Sequence, residues 1–416
     1  MNLAPAASNR RREVLIVIST VMVIVLMGMS IMVPVLPLYA QSFGVTSAMV
    51  GMVVASFGLA RVFMDLPSGH WSERFGRRPF IIAGPAVFAV ASLLCGLASD
   101  FWLLILFRFI QGLGSALYTT AAMTVLMDIS TKEDRGRTFS LYQGTLLLGT
   151  GIGPTFGGLV AQGYGLRAPF YFSAFLGVVA TVWAFWRIPE TRPAKRHETL
   201  GTGEHPTVEV AGGGNLRPLL LNVNFLLVGL VGFGLHFTHT GSRQTIAPLL
   251  GYNVLGLSEA QIGFAMTLIS LVDFAVLFFG GALSDRFGRK VVIVPAFVVM
   301  AAGVVLFALG DSYALFLGAS AIYGVGRGIG GAAPMAFASD ISREGSHGVA
   351  SGLYRTFCDV GLMIGPVVLG FVADSTSYAW ALYSNAALIL LITVFFGLLA
   401  KETVEKPVRK QDLAEG

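Results

Sequence analysis

The stretch Gly69-His-Trp-Ser-Glu-Arg-Phe-Gly-Arg-Arg78 recurs as Gly281-Ala-Leu-Ser-Asp-Arg-Phe-Gly-Arg-Lys290, 212 residues further along a chain of 416. Both copies end an apolar run of helical length and place several charged residues where that run stops. A duplicated charged turn between hydrophobic runs predicts a membrane protein built from two related halves.

Composition excludes most classes of soluble protein. Hydrophobic residues make up 55% of the chain and charged residues only 12%, with a mean hydropathy of +0.74. A soluble domain needs more charge than this, whereas a chain that crosses a bilayer repeatedly does not. Cys95 and Cys358 each lie within an apolar run, so the sequence indicates no disulfide framework.

Twelve apolar runs are long enough to cross a bilayer, which takes about 20 residues per helix. The longest polar interruption, 188–216, contains basic residues and a run of glycines and is typical of a flexible linker. The predicted domains are therefore an N-terminal six-helix half (1–187), the linker, a C-terminal six-helix half (217–400) and a tail (401–416). The runs, numbered spans 1 to 12, are 14–40, 47–70, 79–98, 101–127, 138–162, 167–187, 219–250, 258–282, 291–310, 312–338, 348–373 and 378–400.

The distribution of basic residues predicts the orientation. If the termini, the duplicated loops, the linker and the loops near 131–137 and 343 share one side, that side holds 22 of the 28 lysines and arginines. The opposite loops hold only Arg167. This asymmetry predicts that both termini face the cytoplasm, in a bacterial inner membrane. Because the positive charges are divided among short loops, nucleic-acid binding is not indicated.

The 212-residue repeat extends well beyond the quoted stretch, and agreement at several separate places supports two duplicated halves. One of the matches is shifted by 211 residues instead, namely Pro37-Leu38 with Pro248-Leu249. The others are Val50-Gly51 with Ile262-Gly263, Asp128-Ile-Ser130 with Asp340-Ile-Ser342, Leu141-Tyr142 with Leu353-Tyr354, and Gly153-Pro154 with Gly365-Pro366.

The pattern of the duplicated stretch, Gly-x-x-x-acid-Arg-x-Gly-Arg-basic, resembles the loop between helices 2 and 3 of the major facilitator superfamily of transporters. The resemblance implies an all-α membrane protein with twelve transmembrane helices in two pseudo-symmetric six-helix halves. It also implies that spans 1, 4, 7 and 10 line a central cavity, and that span 2 meets span 11 and span 5 meets span 8 between the halves. Transport would follow from rocking of the halves about a midplane site.

In the resembled family, the acid and the arginine of this loop pair with an acid that ends span 4 and hold one side of the transporter shut. Partly desolvated charge pairs suit such a two-state latch, because separated charges must be rehydrated. The alternative is that these charges only set the topology. Glu73 departs from the family's usual aspartate. The latch residues that the resemblance implies are Gly69, Glu73, Arg74, Gly76, Arg77 and Asp128, repeated as Asp285, Arg286, Arg289 and Asp340.

Span 5 contains a glycine-rich motif that runs from Gly149 to Gly158. Gly149, Gly153 and Gly157 recur every fourth residue and form one smooth helix face, while Pro154 removes a backbone hydrogen bond. The motif resembles the span-5 signature of the drug:proton antiporters within the superfamily and therefore implies export. Ordinary close packing of helices is the alternative interpretation.

Span 4 contains Arg108-Phe-Ile-Gln-Gly-Leu-Gly114, which resembles the superfamily's span-4 arginine motif. The arginine of that motif is associated with proton transfer. An arginine in hydrocarbon is unfavourable and normally faces a cavity or a partner. We expect Arg108 to act in proton coupling and Gln111 to face the cavity, or else Arg108 to make buried structural hydrogen bonds.

Other charges also lie within the spans, and their depth follows from a rise of about 1.5 Å per residue. Arg61 and Asp359 lie at a similar depth and are predicted to pair between the halves. An acid beside an arginine near the midplane can exchange its proton for substrate, because burial and the arginine act on its proton affinity in opposite directions. We expect Asp273, near Arg327, to carry the proton, with Asp359 as second candidate. Asp65 belongs to this group or to the latch.

Span 7 adds His236, His239 and Arg243, of which the two histidines share a helix face. A metal site is a weak interpretation, because two histidines without a nearby cysteine are too few ligands. A polar cavity lining is favoured over plain packing. Span 1 has no charge between Ile18 and Gly28, so we expect a cavity that is apolar on the first half and cationic on the second. The candidate cavity residues are Gln111, His236, His239, Arg243 and Arg327.

The leading functional prediction is a proton-coupled exporter of hydrophobic or amphiphilic compounds, a monomer whose partners are its substrate and membrane lipids. It would use the proton as coupling ion and no cofactor. The first alternative is an exporter or flippase of an anionic amphiphile such as a lipid, glycolipid or siderophore. The second, of another class, is a non-transporting receptor or assembly subunit. An enzyme is not indicated, since no nucleophile–base pair, phosphate loop or complete metal site is evident.

Overall fold

The computed structural model describes residues 4–129, 135–188, 219–342 and 347–403. Within these ranges the chain forms α-helices, one π-helical segment and connecting turns, and no strand. Nine helical segments of the described part are long and apolar enough to cross a membrane. Every one of the twelve predicted spans corresponds to helical structure.

In the first half, span 1 consists of α1 (Ala4–Ile31) and α2 (Leu36–Gln41), and spans 2 to 6 are α3 (Ser47–Phe75), α4 (Arg78–Leu97), α5 (Phe101–Ile129), α6 (Arg135–Tyr164) and α7 (Ala168–Arg187). In the second half, span 7 consists of α8 (Val223–Thr238), π1 (His239–Ile246) and α9 (Ala247–Asn253). Spans 8 and 9 are α10 (Glu259–Phe287) and α11 (Arg289–Leu309), span 10 is α12 (Tyr313–Gly330) with α13 (Ala333–Ile341), and spans 11 and 12 are α14 (His347–Ser375) and α15 (Tyr378–Leu399).

Three spans are interrupted, although the sequence analysis treated each as one run. Spans 1 and 10 break into two helices, and span 7 changes from α- to π-helix at His239. The last helix of each of these spans has a proline in its first two positions, at Pro37, Pro248 and Pro334. Proline has no backbone N–H and is tolerated where a helix begins, so these residues explain where the last helices start.

The duplicated stretch forms a tight turn in both halves. Spans 2 and 8 end at Gly76 and Gly288, whose φ angles are 97° and 109°. Side chains rarely adopt this conformation, which explains why both copies have glycine there. We call the end of the bundle that carries these turns, at which span 6 ends and span 7 begins, the linker end, and the opposite end the far end.

The two halves meet along two seams, as the resemblance implied: span 2 against span 11, and span 5 against span 8. At the first seam, a Cβ atom on Gly51 would overlap the Pro366 carbonyl, and one on Gly370 would overlap that of Ser47. At the second seam, Gly263 lies equally close to the Pro154 carbonyl. Glycine therefore brings backbone against backbone between the halves, as it does in other membrane helices.

The first seam widens toward the linker end. Near the far end its contacts join backbones, at Gly51 and Gly370. Further along span 2, Gly58 contacts only side-chain atoms, those of Leu362 and Met363. Because the contacts change from backbone to side chain, the helices diverge along their length. The halves are thus tightly closed at the far end.

Polar contacts also tie the halves together at the far end. The Asp374 carboxylate of span 11 accepts hydrogen bonds from the backbone N–H groups of Ser47 and Ala48, at 2.7 and 2.8 Å, and so caps span 2 of the other half. Asn253 donates to Gln41 at 2.9 Å; these two residues are equivalent in the 212-residue repeat. The far end is therefore sealed both by glycine packing and by hydrogen bonds.

Substitution of Gly158 tests the second seam. Gly158 faces the Glu259 carbonyl of the other half, so Gly158→Ala should force the halves apart, lower the melting temperature and increase the labelling of single cysteines introduced at the far end. Gly151, in the same motif, has open space where a Cβ would lie, so Gly151→Ala is the matched control and should change neither measurement. Equal effects of the two substitutions would contradict the close packing of Gly158 against span 8 at this seam.

Candidate substrate and proton sites

A polar cluster lies in the second half where spans 7, 8 and 10 meet. The π-helical segment of span 7 supplies Arg243, which is only 8% exposed. A π-helical turn displaces side chains from the regular α-helical register, and such turns are frequent at functional sites. Asn385 of span 12 stabilises this segment, because its side-chain amide donates a hydrogen bond to the Ser242 hydroxyl at 2.6 Å.

Arg243 has no carboxylate partner among the described residues. Its guanidinium donates to the Ser270 hydroxyl at 2.7 Å and to the Met266 carbonyl at 3.3 Å, both on span 8. A third contact, of 3.4 Å, joins it to Nδ1 of His239, whose Nε2 lies 3.2 Å from the Gln244 amide. Arg243 therefore contributes an un-neutralised positive charge to this cluster.

Asp273 and Arg327 form an ion pair between spans 8 and 10. The carboxylate side chain is 9% exposed and the guanidinium 29%. The sequence placed the two residues at one depth, and the structure brings them into contact. With Asp273 ionised, the three charged side chains Arg243, Asp273 and Arg327 sum to one positive charge.

The same cluster contains buried donors that have no acceptor within hydrogen-bond distance among the described residues. They are Nε of Arg243, Nε of Arg327 and the hydroxyl of Tyr323, a residue that is fully buried. Sequence reasoning missed Tyr323, although its position four residues before Arg327 places both on one face of span 10. The cluster can therefore bind a ligand group that is rich in hydrogen-bond acceptors.

The span-4 motif makes a separate, smaller network in the first half. Arg108 donates to Gln111, and Gln111 donates to the Ser92 hydroxyl at 2.6 Å. The guanidinium also lies 4.7 Å from the centre of the Phe57 ring. Arg108 is not bonded to any acid that the structure describes, so its contacts match the buried hydrogen-bonding role that the sequence left open.

Arg61 and Asp359 do not form a direct ion pair in the described structure, although Arg61 lies near enough to attract the Asp359 carboxylate. Instead, Arg355 of span 11 lies 3.6 Å from Asp65 of span 2, and 4.0 Å from Asp359 on its own helix. Depth alone does not determine the direction in which a side chain leaves its helix. Arg355, one turn from Asp359, therefore takes the place that the sequence assigned to Arg61.

The second copy of the latch is assembled as the resemblance implied. Arg289 pairs with Asp285 and, at 3.2 Å, with Asp340 at the end of span 10. Sequence reasoning missed Glu402, whose carboxylate accepts the backbone N–H groups of Arg289 and Lys290 at 2.9 and 3.0 Å and so caps span 9. Arg286 packs over the ring of its neighbour Phe287.

In the first copy, three of the predicted latch residues, Gly69, Glu73 and Asp128, lie outside the residues whose side-chain surroundings the structure describes. Of the other members, Arg74 packs over the ring of Phe75, as Arg286 does over Phe287, and Arg77 is buried. The pairing of the first latch therefore stays a prediction from the resemblance.

The span-5 motif packs on two different helices. A Cβ on Gly149, Gly153 or Gly157 would overlap atoms of span 1, and Ser30 of that span donates to the Gly149 carbonyl at 2.9 Å. Pro154 and Gly158 face span 8 of the other half. The motif thus packs span 5 against span 1 of the first half and against span 8 of the second half. This packing role does not depend on whether the motif also indicates export.

The remaining candidates on span 7 are held by local contacts. His236 lies with Nδ1 3.0 Å from the Gly232 carbonyl, one turn before it.

No group of three His, Cys, Asp or Glu side chains that could ligate a metal occurs among the residues the structure describes. Cys95 and Cys358 are both buried and free.

Comparison with known proteins agrees with this architecture. The family model of the Major Facilitator Superfamily matches residues 18–238 and again 233–415, nearly the whole chain in two halves. The chain belongs to the major facilitator superfamily. It is accordingly a multi-pass membrane transporter of twelve helices in two six-helix halves.

Curated relatives of this superfamily member include two proteins named for drug resistance. An uncharacterized MFS-type transporter of Methanocaldococcus jannaschii is 26% identical over 91% of the chain and 95% of the relative. Multidrug resistance protein 1 of Bacillus subtilis is 24% identical over 88% of the chain and 91% of the relative. Quinolone resistance protein NorA of Staphylococcus aureus is 24% identical over 84% and 87% respectively.

Solved structures share the fold. A bacterial homolog of the human lysosomal transporter Spinster, in an inward-facing and unoccupied conformation, superposes with a TM-score of 0.77 at 17% identity, covering 94% of this chain and 96% of that one. The nucleoside transporter NupG gives 0.75 at 15% identity, covering 92% and 98%. At these identities the likeness concerns the fold alone.

The buried ion pair can be tested by stability measurements in detergent. Asp273→Ala leaves Arg327 without its partner and should lower the free energy of unfolding by about 3–5 kcal/mol. Adding Arg327→Met removes the uncompensated charge and should recover much of the loss. Asp311→Ala, at an exposed position, is the control. A single Asp273→Ala variant as stable as this control would contradict the pair.

Proposed function

We propose that this transporter exports hydrophobic or amphiphilic small molecules in exchange for protons, by rocker-switch alternating access. The observation that carries the proposal is the intramembrane pair of Asp273 and Arg327. An ionisable acid held inside the spans is rare and is characteristic of proton relays in transporters. The multidrug and quinolone resistance proteins among the relatives, together with the span-5 motif, support export.

Exchange follows if proton and substrate compete for the Asp273 carboxylate. A hydrogen-bond donor or positive charge on an amphiphile would bind the ionised carboxylate and disfavour its protonation. Protonation, in turn, would remove the acceptor and release the compound. Asp359, beside Arg355, is the second candidate for the proton. Each turnover would then alternate between a protonated and a substrate-bound state, as antiport requires.

The proposal also covers the oligomeric state and location of the protein. We propose that the protein is a monomer in a bacterial inner membrane, surrounded by lipid, with both termini in the cytoplasm and with no bound cofactor or nucleic acid. The excess of basic residues in the loops of the linker end supports this orientation. The linker end is then the cytoplasmic end.

Transport in proteoliposomes tests the exchange. A gradient with the acidic side at the far end should drive a lipophilic fluorescent compound toward that side, and dissipating the gradient should stop the movement. Asp273→Asn should abolish gradient-driven movement, because the amide cannot ionise, while Asp311→Asn should leave it unchanged. Equal movement of the fluorescent compound with and without the proton gradient would contradict proton exchange.

The buried donors favour a second candidate, transport of an anionic amphiphile. Arg243, Arg327 and Tyr323 offer donors that lack acceptors among the described residues, and an anionic head group would satisfy them. An anion there would favour the protonated form of Asp273, so anion and proton would bind together rather than compete. Movement of a fluorescent anionic lipid with the protons, and not of lipophilic compounds against them, would support this candidate over the first.

A further inference from the structure

Four charged side chains lie on spans 2 and 11 between the midplane and the linker end. Span 2 of the first half contributes Arg61 and Asp65, and span 11 of the second half contributes Arg355 and Asp359. We call these four residues the inter-half network. Their formal charges cancel, so a proton added to either acid leaves one positive charge in excess.

Arg355 is shared between acids of different halves. Its Nη2 lies 3.6 Å from Asp65 across the seam, and its Nε lies 4.0 Å from Asp359 one turn along its own helix. Both distances exceed that of a well-formed hydrogen bond. The Asp65 carboxylate is itself oriented by the Thr120 hydroxyl of span 4, which donates to Oδ1 at 3.4 Å. Arg355 is therefore held loosely between two acceptors.

The contact lies where the seam has already widened. Nearer the far end, glycine brings the backbones of spans 2 and 11 together, whereas at Asp65 the long Arg355 side chain crosses the gap. Breaking this link requires rotation of one side chain and no repacking of helices. Because Arg355 is 63% exposed, solvent can replace either partner, and such a pair shifts an equilibrium only about two- to fivefold.

We propose that Arg355 is the positioning residue that couples protonation of Asp65 to separation of the two halves at the linker end. With Asp65 ionised, Arg355 links the halves. With Asp65 protonated, Arg355 has only Asp359 on its own helix, and the link is lost. The inference rests on the proposed function for the identity of the coupling ion, and it adds the residue through which that ion acts on the conformation.

The direction of this coupling agrees with exchange. In the proposed orientation, protonation favours the state that is open to the cytoplasm, where a compound can enter. Loss of the proton restores the link and favours closure of that end. The titratable and charged groups that interact with the network are Arg61 on span 2, Asp359 and Cys358 on span 11 and His236 on span 7, and the neutral Thr120 hydroxyl of span 4 contacts Asp65.

The test measures the distance between the halves at the linker end as a function of pH. Spin labels at His70→Cys and Lys401→Cys, both exposed positions, report the separation in a protein with Cys95→Ala and Cys358→Ala. Lowering the pH should raise the population of the longer distance about two- to fivefold. Asp65→Asn and Arg355→Gln should each show the longer distance at every pH, because the link is absent.

Two further variants separate coupling from a loss of folding. The exchange Asp65→Arg with Arg355→Asp rebuilds the pair in reverse and should restore a pH-dependent distance, and Arg355→Lys should restore it in part. Asp311→Asn, which removes an exposed charge outside the network, is the matched control and should keep the dependence.

The inference is overturned if Arg355→Gln leaves the pH dependence of the distance unchanged, or if the reversed pair fails to restore it in a protein that elutes as the parent does. The proposed function has its own readout in proteoliposomes. Proton-driven export without pH-dependent separation would refute only the coupling through Arg355. Separation that depends on pH without proton-driven export would refute only the proposed exchange.

Discussion

Backbone contact between the halves is the constraint on which the rest of this structure depends. In lipid, helices gain little from the hydrophobic effect and associate through close packing of small residues. Here Gly51 and Gly370 close the first seam and Gly158 and Gly263 the second, all toward the far end. The first seam diverges toward the linker end, where the Arg355 side chain of span 11 meets Asp65 of span 2.

The chemistry does not follow the pseudo-symmetry of the scaffold. The repeat places Arg61 at the position of Asp273, and Ser115 at that of Arg327, so the ion pair exists in one half only. The first half instead buries Arg108 against Gln111. A duplicated framework therefore carries an asymmetric set of charges, with the donor-rich cluster in the second half and the inter-half network across the first seam.

Features that depend on spacing along one helix could be predicted from the sequence. The apolar runs and the repeat predicted the spans, the family resemblance implied the seams and the second latch, and depth along the helix predicted that Asp273 lies near Arg327. Features that depend on rotation about a helix could not, and for that reason Arg355 rather than Arg61 meets the opposite half. The caps made by Asp374 and Glu402 join residues from distant parts of the chain, so no local pattern indicates them.

The central claim is that the far-end seams open and close in every transport cycle. Gln41 and Asn253 lie on opposite halves and are joined by a hydrogen bond of 2.9 Å, so cysteines at both positions can be bridged by a short, reducible bis-methanethiosulfonate. Transport of a fluorescent lipophilic compound should stop when the bridge forms in a protein without other cysteines, and resume after reduction. Transport that continues at the same rate with the bridge in place would contradict the account.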